Sequence, residues 1–317
     1  MKAAVRHEYG PPAVVGFEEI PTPTPGDDEV LVQVRAVSVN SSDWEFLTGS
    51  PLYVRMWGLL KPKHKILGSD IAGRVEAVGK NVKRFQSGDD VFGDIIERWG
   101  GFAEYVCAPE KALMLKPPSM TFEQASAIPQ AALIALQGLE KGQIKRGHKV
   151  LINGAGGGAG SFAVQIAISF GAEVTGVDST SKLEMMRSLG ADHVVDYTQE
   201  DFTRNGQRYD LVLDFVARRS VFDIKRALGP KGIYVLVGGS LPRLLQVLLL
   251  GPMVSMTGKR MGILAAKPNQ DLSRMIELFE AGIVVPVIDR CYPLGEVPAA
   301  LQYLGDGQAR GKVVITV

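Results

Sequence analysis

The spacing of apolar residues changes character part-way along the chain. In the first part, short runs such as 29–39 (EVLVQVRAVSV) alternate apolar and polar residues, and glycine or proline separates the runs. A period of two is typical of strands with one buried face. Further on, runs such as 150–152 (VLI) are continuously apolar and alternate with helical stretches, as in a parallel sheet covered on both faces. The pattern predicts a β-rich part followed by an α/β part.

The same pattern predicts individual elements. In the first part we expect strands over 29–39 and 73–78, and then a helical stretch over 118–141 that is interrupted at Pro129. In the α/β part we expect strands over 150–152, 173–177, 193–196, 211–214, 233–237 and within 260–265, and helices over 161–170 and 182–189. The last part is predicted to form a helix over 271–282, a strand over 284–289, a helix over 296–304 and a strand over 312–317. We expect this last strand to return to the first domain.

A glycine-rich turn follows the first continuously apolar strand. Ala155, Gly157 and Gly160 match the spacing of the dinucleotide fingerprint, with alanine at the first glycine position. The first small residue permits a tight turn, the second lets the backbone approach a pyrophosphate, and the third lets the helix pack on the strand. Asp178 directly follows the next strand, where an acidic residue meets the adenine ribose in such units. Together these features predict a dinucleotide site.

Composition narrows the class of protein. A chain of 317 residues, 46% of them hydrophobic, is long enough for two domains with sizeable cores. The net charge of +1 argues against a nucleic-acid partner. The start MKAAVRHEYG lacks the apolar core of a secretory signal, and no apolar run reaches the roughly 20 residues that span a bilayer. Only two cysteines are present, Cys107 and Cys291, which suits a reducing compartment and excludes a disulfide framework. We expect a cytoplasmic protein without stable membrane insertion.

Two stretches remain open to more than one interpretation. Residues 40–44 (NSSDW) form a polar cluster at a strand end, which favours a site, although an Asx turn is the commoner role for a single Asn or Asp. Residues 243–256 (RLLQVLLLGPMVSM) are strongly apolar but too short to span a membrane. For this segment a buried helix, a dimer contact and a lid over an apolar substrate pocket are each favoured over interfacial anchoring.

Several stretches together resemble the zinc-independent, quinone oxidoreductase-like branch of the medium-chain dehydrogenase/reductase superfamily. They are VLVQVRAVSVNSSDW, LGSDIAGRVEAVG, GGFAEYV, the glycine unit, LGADHVVDY, DLVLD, YVLVGG and RGKVVITV. The resemblance covers nearly the whole chain and implies an α/β fold. It implies a GroES-like β-rich catalytic domain over 1–124 and 266–317, and a Rossmann domain with a doubly wound parallel sheet over 125–265. It also implies a cofactor in the cleft between the domains, and we expect a homodimer.

The chain departs from the zinc-dependent members at the metal ligands. Those enzymes carry a cysteine where this chain has Asn40, and a His-Glu pair where it has Ser69 and Asp70. Amide and hydroxyl groups are poor zinc ligands, and a catalytic site needs three converging Cys, His or carboxylate ligands. His64 lies between two lysines, where a solvated surface histidine is expected. We therefore predict that the protein binds no metal.

Chemistry without a metal limits the substrate. Reduction then depends on hydride from a nicotinamide and on hydrogen-bond donors at the acceptor oxygen. Quinones and α,β-unsaturated carbonyl compounds fit, because the phenolate or enolate they form is easier to stabilise than an alkoxide. Asn40 can donate through its amide, and Tyr53, with an ordinary pKa of about 10, can donate a hydrogen bond or a proton. Asp43 is assigned to orienting the loop, and an ordinary half-buried tyrosine is an equal alternative for Tyr53.

The resemblance also implies the cofactor residues. It places the turn and pyrophosphate at Ala155, Gly157, Gly158 and Ala159, the adenosine at Asp178, Ser179, Lys182 and Tyr197, and the nicotinamide end at Asp214, Val216, Gly238, Gly239 and Arg310. Asp178 would repel a 2′-phosphate and favours NADH. The branch mostly uses NADPH, however, and Ser179, Ser181 and Lys182 can bind phosphate. NAD(P)H is therefore the expected cofactor, with a preference for NADH.

Three hypotheses about function follow. The first is a zinc-independent, NAD(P)H-dependent reductase of a small apolar electrophile, either a quinone or an enone. The second is a zinc-free alcohol or carbonyl dehydrogenase, and the third is a non-catalytic NAD(P)H-binding protein. A short-chain dehydrogenase with a Tyr-x-x-x-Lys pair is set aside, because no tyrosine here has a lysine four residues later.

Overall fold

The chain folds into two compact units. The computed structural model describes residues 1–317 except for the side chain of Trp57. The first unit comprises Met1–Gln130, Pro268–Ile276 and Ile288–Val317, and the second comprises Ala131–Lys267 and Glu277–Val287.

The units differ from the predicted domains in their limits. The difference is largest at Glu277–Val287, which the prediction places with the two chain ends. The side-chain amide of Gln165 donates to the Val285 carbonyl at 3.0 Å and accepts from the Val285 N–H at 2.9 Å. These two bonds attach the segment to the second unit.

The helices and strands are numbered in chain order. The strands are β1 (Lys2–Arg6), β2 (Val15–Glu19), β3 (Glu29–Val39), β4 (Asp70–Val78), β5 (Asp90–Asp94), β6 (Tyr105–Pro109), β7 (Met114–Leu115), β8 (Lys149–Asn153), β9 (Glu173–Asp178), β10 (His193–Asp196), β11 (Tyr209–Asp214), β12 (Leu228–Leu236), β13 (Arg260–Ile263), β14 (Ile288–Pro293) and β15 (Lys312–Thr316). The helices are α1 (Ser41–Thr48), α2 (Phe122–Ala127), α3 (Pro129–Lys141), α4 (Gly158–Ser169), α5 (Leu183–Ser188), α6 (Val221–Ala227), α7 (Leu241–Ser255), α8 (Leu272–Glu280) and α9 (Val297–Gly305).

The first unit is built on a mixed sheet of seven strands in the order β14-β15-β3-β4-β5-β7, with β6 also paired to β3. Its central strand β3 has the predicted bounds, and valines such as Val30, Val32 and Val34 pack into the core. The last strand, β15, pairs antiparallel with β3. The prediction that the chain end returns to the first domain is confirmed.

The second unit contains a parallel sheet of six strands in the order β10-β9-β8-β11-β12-β13. Counted from β8, this is the strand order of a doubly wound dinucleotide-binding sheet. The apolar runs of its central strands are buried, as their continuous hydrophobicity predicts: Val150, Leu151 and Ile152 of β8 are fully buried. The predicted α/β fold class is confirmed.

Two predicted elements are misplaced. The strand predicted over 284–289 is wrong for 284–287, where the chain is a loop attached to α4, and β14 occupies Ile288–Pro293 instead. Helix α4 begins at Gly158, three residues before the predicted start at Ser161. Glycine is a poor helix former, so local propensity favours the later start, but packing of the helix on β8 overrides it.

In the part of the chain that the structure describes, no helix is both long enough and apolar enough to cross a membrane.

Candidate active site

The predicted cofactor residues of the second unit lie at one edge of the parallel sheet. Asn153, at the end of β8, pairs with Val177 on one side and Asp214 on the other, and Asp214 pairs with Leu236. The carboxyl ends of four neighbouring strands are therefore aligned, and the segments that follow them carry the glycine turn, Ser179, Val216 and Gly238. Open parallel sheets bind ligands at this edge. Arg310 belongs to the first unit, where its side chain is exposed and its N–H donates to Asp289 Oδ2 at 2.9 Å.

The glycine turn combines a tightly packed position with an open one. A Cβ atom on Gly160 would lie 2.0 Å from the Gly154 carbonyl oxygen and 2.6 Å from Ala155 Cα. A Cβ atom on Gly157, the N-cap of α4, would meet only the Gly154 oxygen at 3.4 Å. The first amides of a helix have no partner within the helix and suit a phosphate. The turn and the start of α4 therefore fit the pyrophosphate of a dinucleotide.

The carboxylate of Asp178 already has hydrogen-bond and ion-pair partners within the protein. The carboxylate is 92% buried, and its two oxygens accept hydrogen bonds from the backbone N–H groups of Gly156 at 2.9 Å and Ser179 at 2.8 Å. The ammonium of Lys182, itself 93% buried, lies 3.6 Å from Asp178 Oδ1. This ion pair offsets the negative charge that the argument for NADH depends on. Nearby, Tyr197 is 44% exposed and donates its N–H to the Asp178 carbonyl at 3.1 Å.

Asp214 holds the end of β11 in place. It is fully buried, and Oδ1 accepts from Asn153 Nδ2 at 2.7 Å and from the N–H groups of Val216 and Ala217 at 2.9 Å. Oδ2 accepts from the Tyr234 hydroxyl at 2.9 Å. Burial, and then the charge of Asp214, raise the pKa of Tyr234, so this hydroxyl remains a donor. The carboxylate thus positions the segment after β11, with Val216 left 41% exposed.

On the side of β12, Gly238 and Gly239 have φ angles of +70° and +120°. A Cβ atom on Gly238 would meet no described atom within 4 Å, so this backbone leaves open space at the sheet edge. The predicted nicotinamide contacts of Asp214, Val216, Gly238 and Gly239 stay predictions.

In the first unit, Asp43 fixes the turn between β3 and α1. Asn40 lies between these two elements as the N-cap of α1. The carboxylate of Asp43 accepts from the Asn40 N–H at 2.7 Å and from the Gly68 N–H at 2.9 Å. Asp43 is fully buried, and this burial raises its pKa to about 7. The geometry gives Asp43 the orienting contacts that a positioning role requires.

The side chain of Asn40 lies in a buried polar network. Its Nδ2 donates to Asp70 Oδ2 at 3.0 Å, and its Oδ1 accepts from Lys312 Nζ at 2.5 Å. Asp70 also accepts from Ser38 Oγ at 3.3 Å and from the N–H of Gln130 at 3.1 Å. Sequence reasoning missed Lys312 and gave Asp70 no role. The available signal was a lysine at the start of an otherwise apolar strand, KVVIT.

A third carboxylate faces this network. Asp94 on β5 is paired with Asp70 on β4, and both are at least 96% buried. Burial, with the charge of Asp70 adding to it, raises the pKa of Asp94 to about 8. Burial also raises the pKa of Asp70 and lowers that of Lys312, and the attraction between their charges opposes both shifts.

Asp94→Asn is expected to increase stability most at alkaline pH. The folded-state pKa of Asp94, about 8, lies above the value of about 3.9 in an unfolded chain. Protonated Asp94 therefore makes its full contribution to folding stability below pH ~4. This contribution is lost as pH rises through the folded-state pKa, by up to about 1.4 kcal/mol per pH unit. Asparagine mimics the protonated acid, so the melting temperature of the variant should exceed that of wild type at pH 9 and match it more closely at pH 5.

Asp90→Asn is the matched control for this experiment. Asp90 lies on the same strand, and its side chain is 27% exposed and paired with Arg74 at the surface. Its substitution should give no gain that grows with pH. An equal change in melting temperature at pH 5 and pH 9 for Asp94→Asn would contradict the assignment.

Tyr53 is not hydrogen-bonded to the described residues of this network. It belongs to the short 3-10 helix Leu52–Trp57 and is half-buried. In the described part of the chain, its side chain makes no hydrogen bond to Asn40, Asp70 or Lys312. Partial burial, and then the charge of Glu45, raise its pKa, so the hydroxyl is protonated at neutral pH. Tyr53 keeps the donor that its predicted role needs.

Comparison with known proteins decides the family. Two family models match the chain, the alcohol dehydrogenase GroES-like domain over residues 26–118 and a zinc-binding dehydrogenase over residues 189–315. A 2-methylene-furan-3-one reductase from Solanum lycopersicum is 34% identical over 327 residues, covering 99% of this chain and 79% of the relative. The chloroplastic NADPH-dependent alkenal/one oxidoreductase of Arabidopsis thaliana is 32% identical over 328 residues, again covering 99% and 79%.

The chain belongs to the quinone oxidoreductase-like branch of the medium-chain dehydrogenase/reductase superfamily. The structure of the quinone oxidoreductase from Coxiella burnetii aligns with a TM-score of 0.89 at 28% identity, over 100% of this chain and 99% of that one. The family inferred from the sequence is confirmed.

Two of the residues that the resemblance places at zinc-ligand positions, Asn40 and Asp70, belong to the network described above. Among the residues that the structure describes, no group of three or more His, Cys, Asp and Glu side chains is arranged to hold a metal. The match to the zinc-binding dehydrogenase model covers residues 189–315 and does not include Asn40, Ser69 or Asp70. The expectation of a solvated His64 is wrong. Its side chain is half-buried 6.5 Å from the ring of Trp99, and burial lowers its pKa.

Proposed function

We propose that the protein is an NAD(P)H-dependent, zinc-independent reductase of quinones or α,β-unsaturated carbonyl compounds. The observation that carries the proposal is the hydrogen bonding of Asn40 and Asp70, which occupy zinc-ligand positions of the superfamily. Asn40 donates to Asp70 and accepts from Lys312. Such a site offers hydrogen-bond donors to a substrate. The Solanum relative is named a 2-methylene-furan-3-one reductase and the Arabidopsis relative an alkenal/one oxidoreductase, which agrees with the proposal.

The residues divide into two roles in this proposal. NAD(P)H, when bound, supplies the hydride. The N–H groups at the start of α4, from Gly158 and Ala159, hold the pyrophosphate, and Asp178 and Lys182 face the adenosine. In the first unit, the amide of Asn40 donates to the substrate oxygen as negative charge develops on it. The hydroxyl of Tyr53 is the proposed proton donor.

A substrate screen tests the proposal. Purified protein is incubated with NADPH or NADH and a small set of quinones, enones, saturated ketones and alcohols, before and after dialysis against a chelator. We expect oxidation of the cofactor with quinones or enones only, unchanged after chelation. Turnover of saturated ketones or alcohols would favour the alcohol or carbonyl dehydrogenase hypothesis. Cofactor binding without oxidation would favour the non-catalytic one, and stoichiometric zinc would contradict the ligand argument.

The same assay addresses the choice of dinucleotide. Asp178 favours NADH, although its ion pair with Lys182 weakens the repulsion of a 2′-phosphate. Michaelis constants for the two cofactors decide between them. A much lower value with NADPH overturns the preference for NADH.

We also propose a homodimer formed through β13 and α7. β13 is an edge strand of the parallel sheet, and α7 packs beside it. The outer face of α7 is apolar and open to solvent, with exposed fractions of 61% at Leu248, 72% at Leu249 and 65% at Met253. Exposed patches of this kind mark association surfaces. Of the interpretations of 243–256, a dimer contact fits this face best.

Leu249→Glu is expected to dissociate the dimer, because it places a charge in an apolar contact. Light scattering after size exclusion should give twice the chain mass for wild type and one chain mass for the variant. Leu60→Glu is the matched control, since Leu60 is 87% exposed in the first unit. A wild-type protein that elutes as a monomer would contradict the proposal.

A cytoplasmic location belongs to the proposal as well, supported by the two free cysteines. The Arabidopsis relative is named as chloroplastic, so cell fractionation is the test.

A further inference from the structure

Lys312 is a buried cation bonded to a neutral amide. It lies at the start of β15, is 2% exposed, and its Nζ donates to Asn40 Oδ1 at 2.5 Å. Burial lowers the pKa of this ammonium, and the acidic groups that oppose this shift when they are ionised are Asp70, Asp43 and Asp94. Burying an ammonium group is unfavourable unless it is paired and hydrogen-bonded. Its direct contact with the side chain proposed to bind the substrate oxygen therefore calls for an explanation.

The contacts of Asn40 fix the orientation of its side-chain amide. Oδ1 faces the ammonium of Lys312, and Nδ2 faces the carboxylate of Asp70 at 3.0 Å. A flipped amide would place NH₂ against an ammonium and oxygen against a carboxylate, so both contacts would become repulsive. The network therefore holds Asn40 in one orientation without help from a ligand.

The same contacts change the donor strength of the amide. A cation at Oδ1 draws electron density from the amide nitrogen, and linked hydrogen bonds in a low-dielectric interior polarise one another. An asparagine NH₂ group carries two donors, and Asp70 takes one of them. The second N–H remains for another acceptor, and Asn40 retains 6% exposure. Lys312 thus makes that second N–H a stronger donor than an amide without a cation.

We propose that Lys312 is a positioning residue that orients and polarises the amide of Asn40 for hydrogen bonding to the developing oxyanion of the substrate. The inference rests on the proposed function, because it gives Asn40 a substrate oxygen to bind. The inference adds a cationic group to the proposed function: Lys312 acts through the amide of Asn40, which occupies a zinc-ligand position of the superfamily. The effect belongs to the transition state, where the charge on oxygen is largest, and therefore to kcat more than to KM.

A double-mutant cycle tests the proposal. Lys312→Met should lower kcat for an enone about 10- to 100-fold, less than or similar to the loss of a whole oxyanion donor, with KM changed less than about 3-fold. Asn40→Ala should lower kcat by a similar or larger factor. Because Lys312 acts through Asn40, adding Lys312→Met to Asn40→Ala should have little further effect on kcat. Equal factors in the two backgrounds would overturn the proposal.

Two further variants separate positioning from stability. Lys312→Arg restores the cation and should recover part of kcat, whereas Lys312→Gln, which can donate without a charge, should not. Lys259→Met is the matched control, because the partly buried Lys259 ammonium is also hydrogen-bonded, donating to the carbonyls of Lys225 and Leu228 at 2.7 and 2.8 Å. It should lower the melting temperature without lowering kcat. Recovery by Lys312→Gln equal to that by Lys312→Arg would refute the role of charge.

A spectroscopic measurement tests the network without catalysis. In protein labelled with ¹⁵N-asparagine, the side-chain NH₂ pair that disappears in Asn40→Ser belongs to Asn40. In wild type, we expect this pair to lie downfield of the other asparagines and to move upfield in Lys312→Gln. A pair at ordinary shifts that Lys312→Gln does not move would overturn the inference even if Lys312→Met fails to fold. If wild type reduces no quinone or enone but shows the shifted pair, the proposed function fails and the polarised amide stands.

Discussion

Gly160→Ala is expected to destabilise the second unit severely and to abolish dinucleotide binding. The added Cβ would lie 2.0 Å from the Gly154 carbonyl oxygen and 2.6 Å from Ala155 Cα. Both are backbone atoms, so no side-chain rotation relieves the overlap, and α4 must move away from the glycine turn. Overpacking typically costs about 1–3 kcal/mol, and a clash with backbone atoms lies at the upper end of that range or above it. Thermal unfolding followed by circular dichroism, and fluorescence titration with NADH and NADPH, measure the two effects.

Two other glycines provide matched controls for this substitution. Gly157→Ala should keep a melting temperature near wild type, because its Cβ meets only one atom, at 3.4 Å, and its φ of −89° suits any residue. It should still weaken dinucleotide binding, since the methyl group occupies the open side of the turn. Gly295→Ala, with no atom within 4 Å of its Cβ, should change neither property. A Gly160→Ala protein that melts like wild type would show that the close packing is not required.

The features predicted correctly from the sequence depend on neighbouring residues. The alternation in 29–39 specifies β3, and the apolar run at 150–152 specifies β8, because burial on one or both faces imposes its own period. The glycine spacing likewise lies within one turn. For these elements the signal and the structure share the same few residues.

The features that were missed depend on contacts between distant parts of the chain. Asn40 and Lys312 are 272 residues apart, and no local pattern connects them. The loop at 284–287 is apolar like a strand, but the side chain of Gln165 occupies the hydrogen bonds of Val285. One missed contact is local: Asp178 and Lys182, four residues apart, form an ion pair because the 3-10 turn at Thr180–Lys182 brings the lysine back to the carboxylate.

The carboxyl edge of the parallel sheet depends both on local sequence pattern and on contacts between distant residues. The end of each strand could be predicted from its apolar run, but the groups that hold these ends together could not. Asp214 illustrates the difference. Its place at the end of β11 was predicted, whereas its four hydrogen-bond donors come from β8, β12 and the loop that follows β11.

Asp214→Ala should therefore cause a large loss of stability. The substitution leaves Asn153 Nδ2, the N–H groups of Val216 and Ala217, and the Tyr234 hydroxyl without their acceptor in a fully buried site. Each unsatisfied buried donor costs about 1–3 kcal/mol, and partial relaxation brings the expected total to about 3–5 kcal/mol. Urea denaturation measures the loss as a lower midpoint, with an unchanged slope if the unfolding remains two-state.

Asp214→Asn separates the hydrogen bonds from the charge. The asparagine oxygen can accept the three bonds now made to Oδ1, and its NH₂ group can donate to the oxygen of Tyr234 if that hydroxyl turns away. The expected loss is about 1–2 kcal/mol. Asp210→Ala, on the same strand but exposed, removes one acceptor of the Lys149 N–H and should cost less than about 1 kcal/mol. If Asp214→Ala cost no more than Asp210→Ala, Asp214 would not anchor the strand ends.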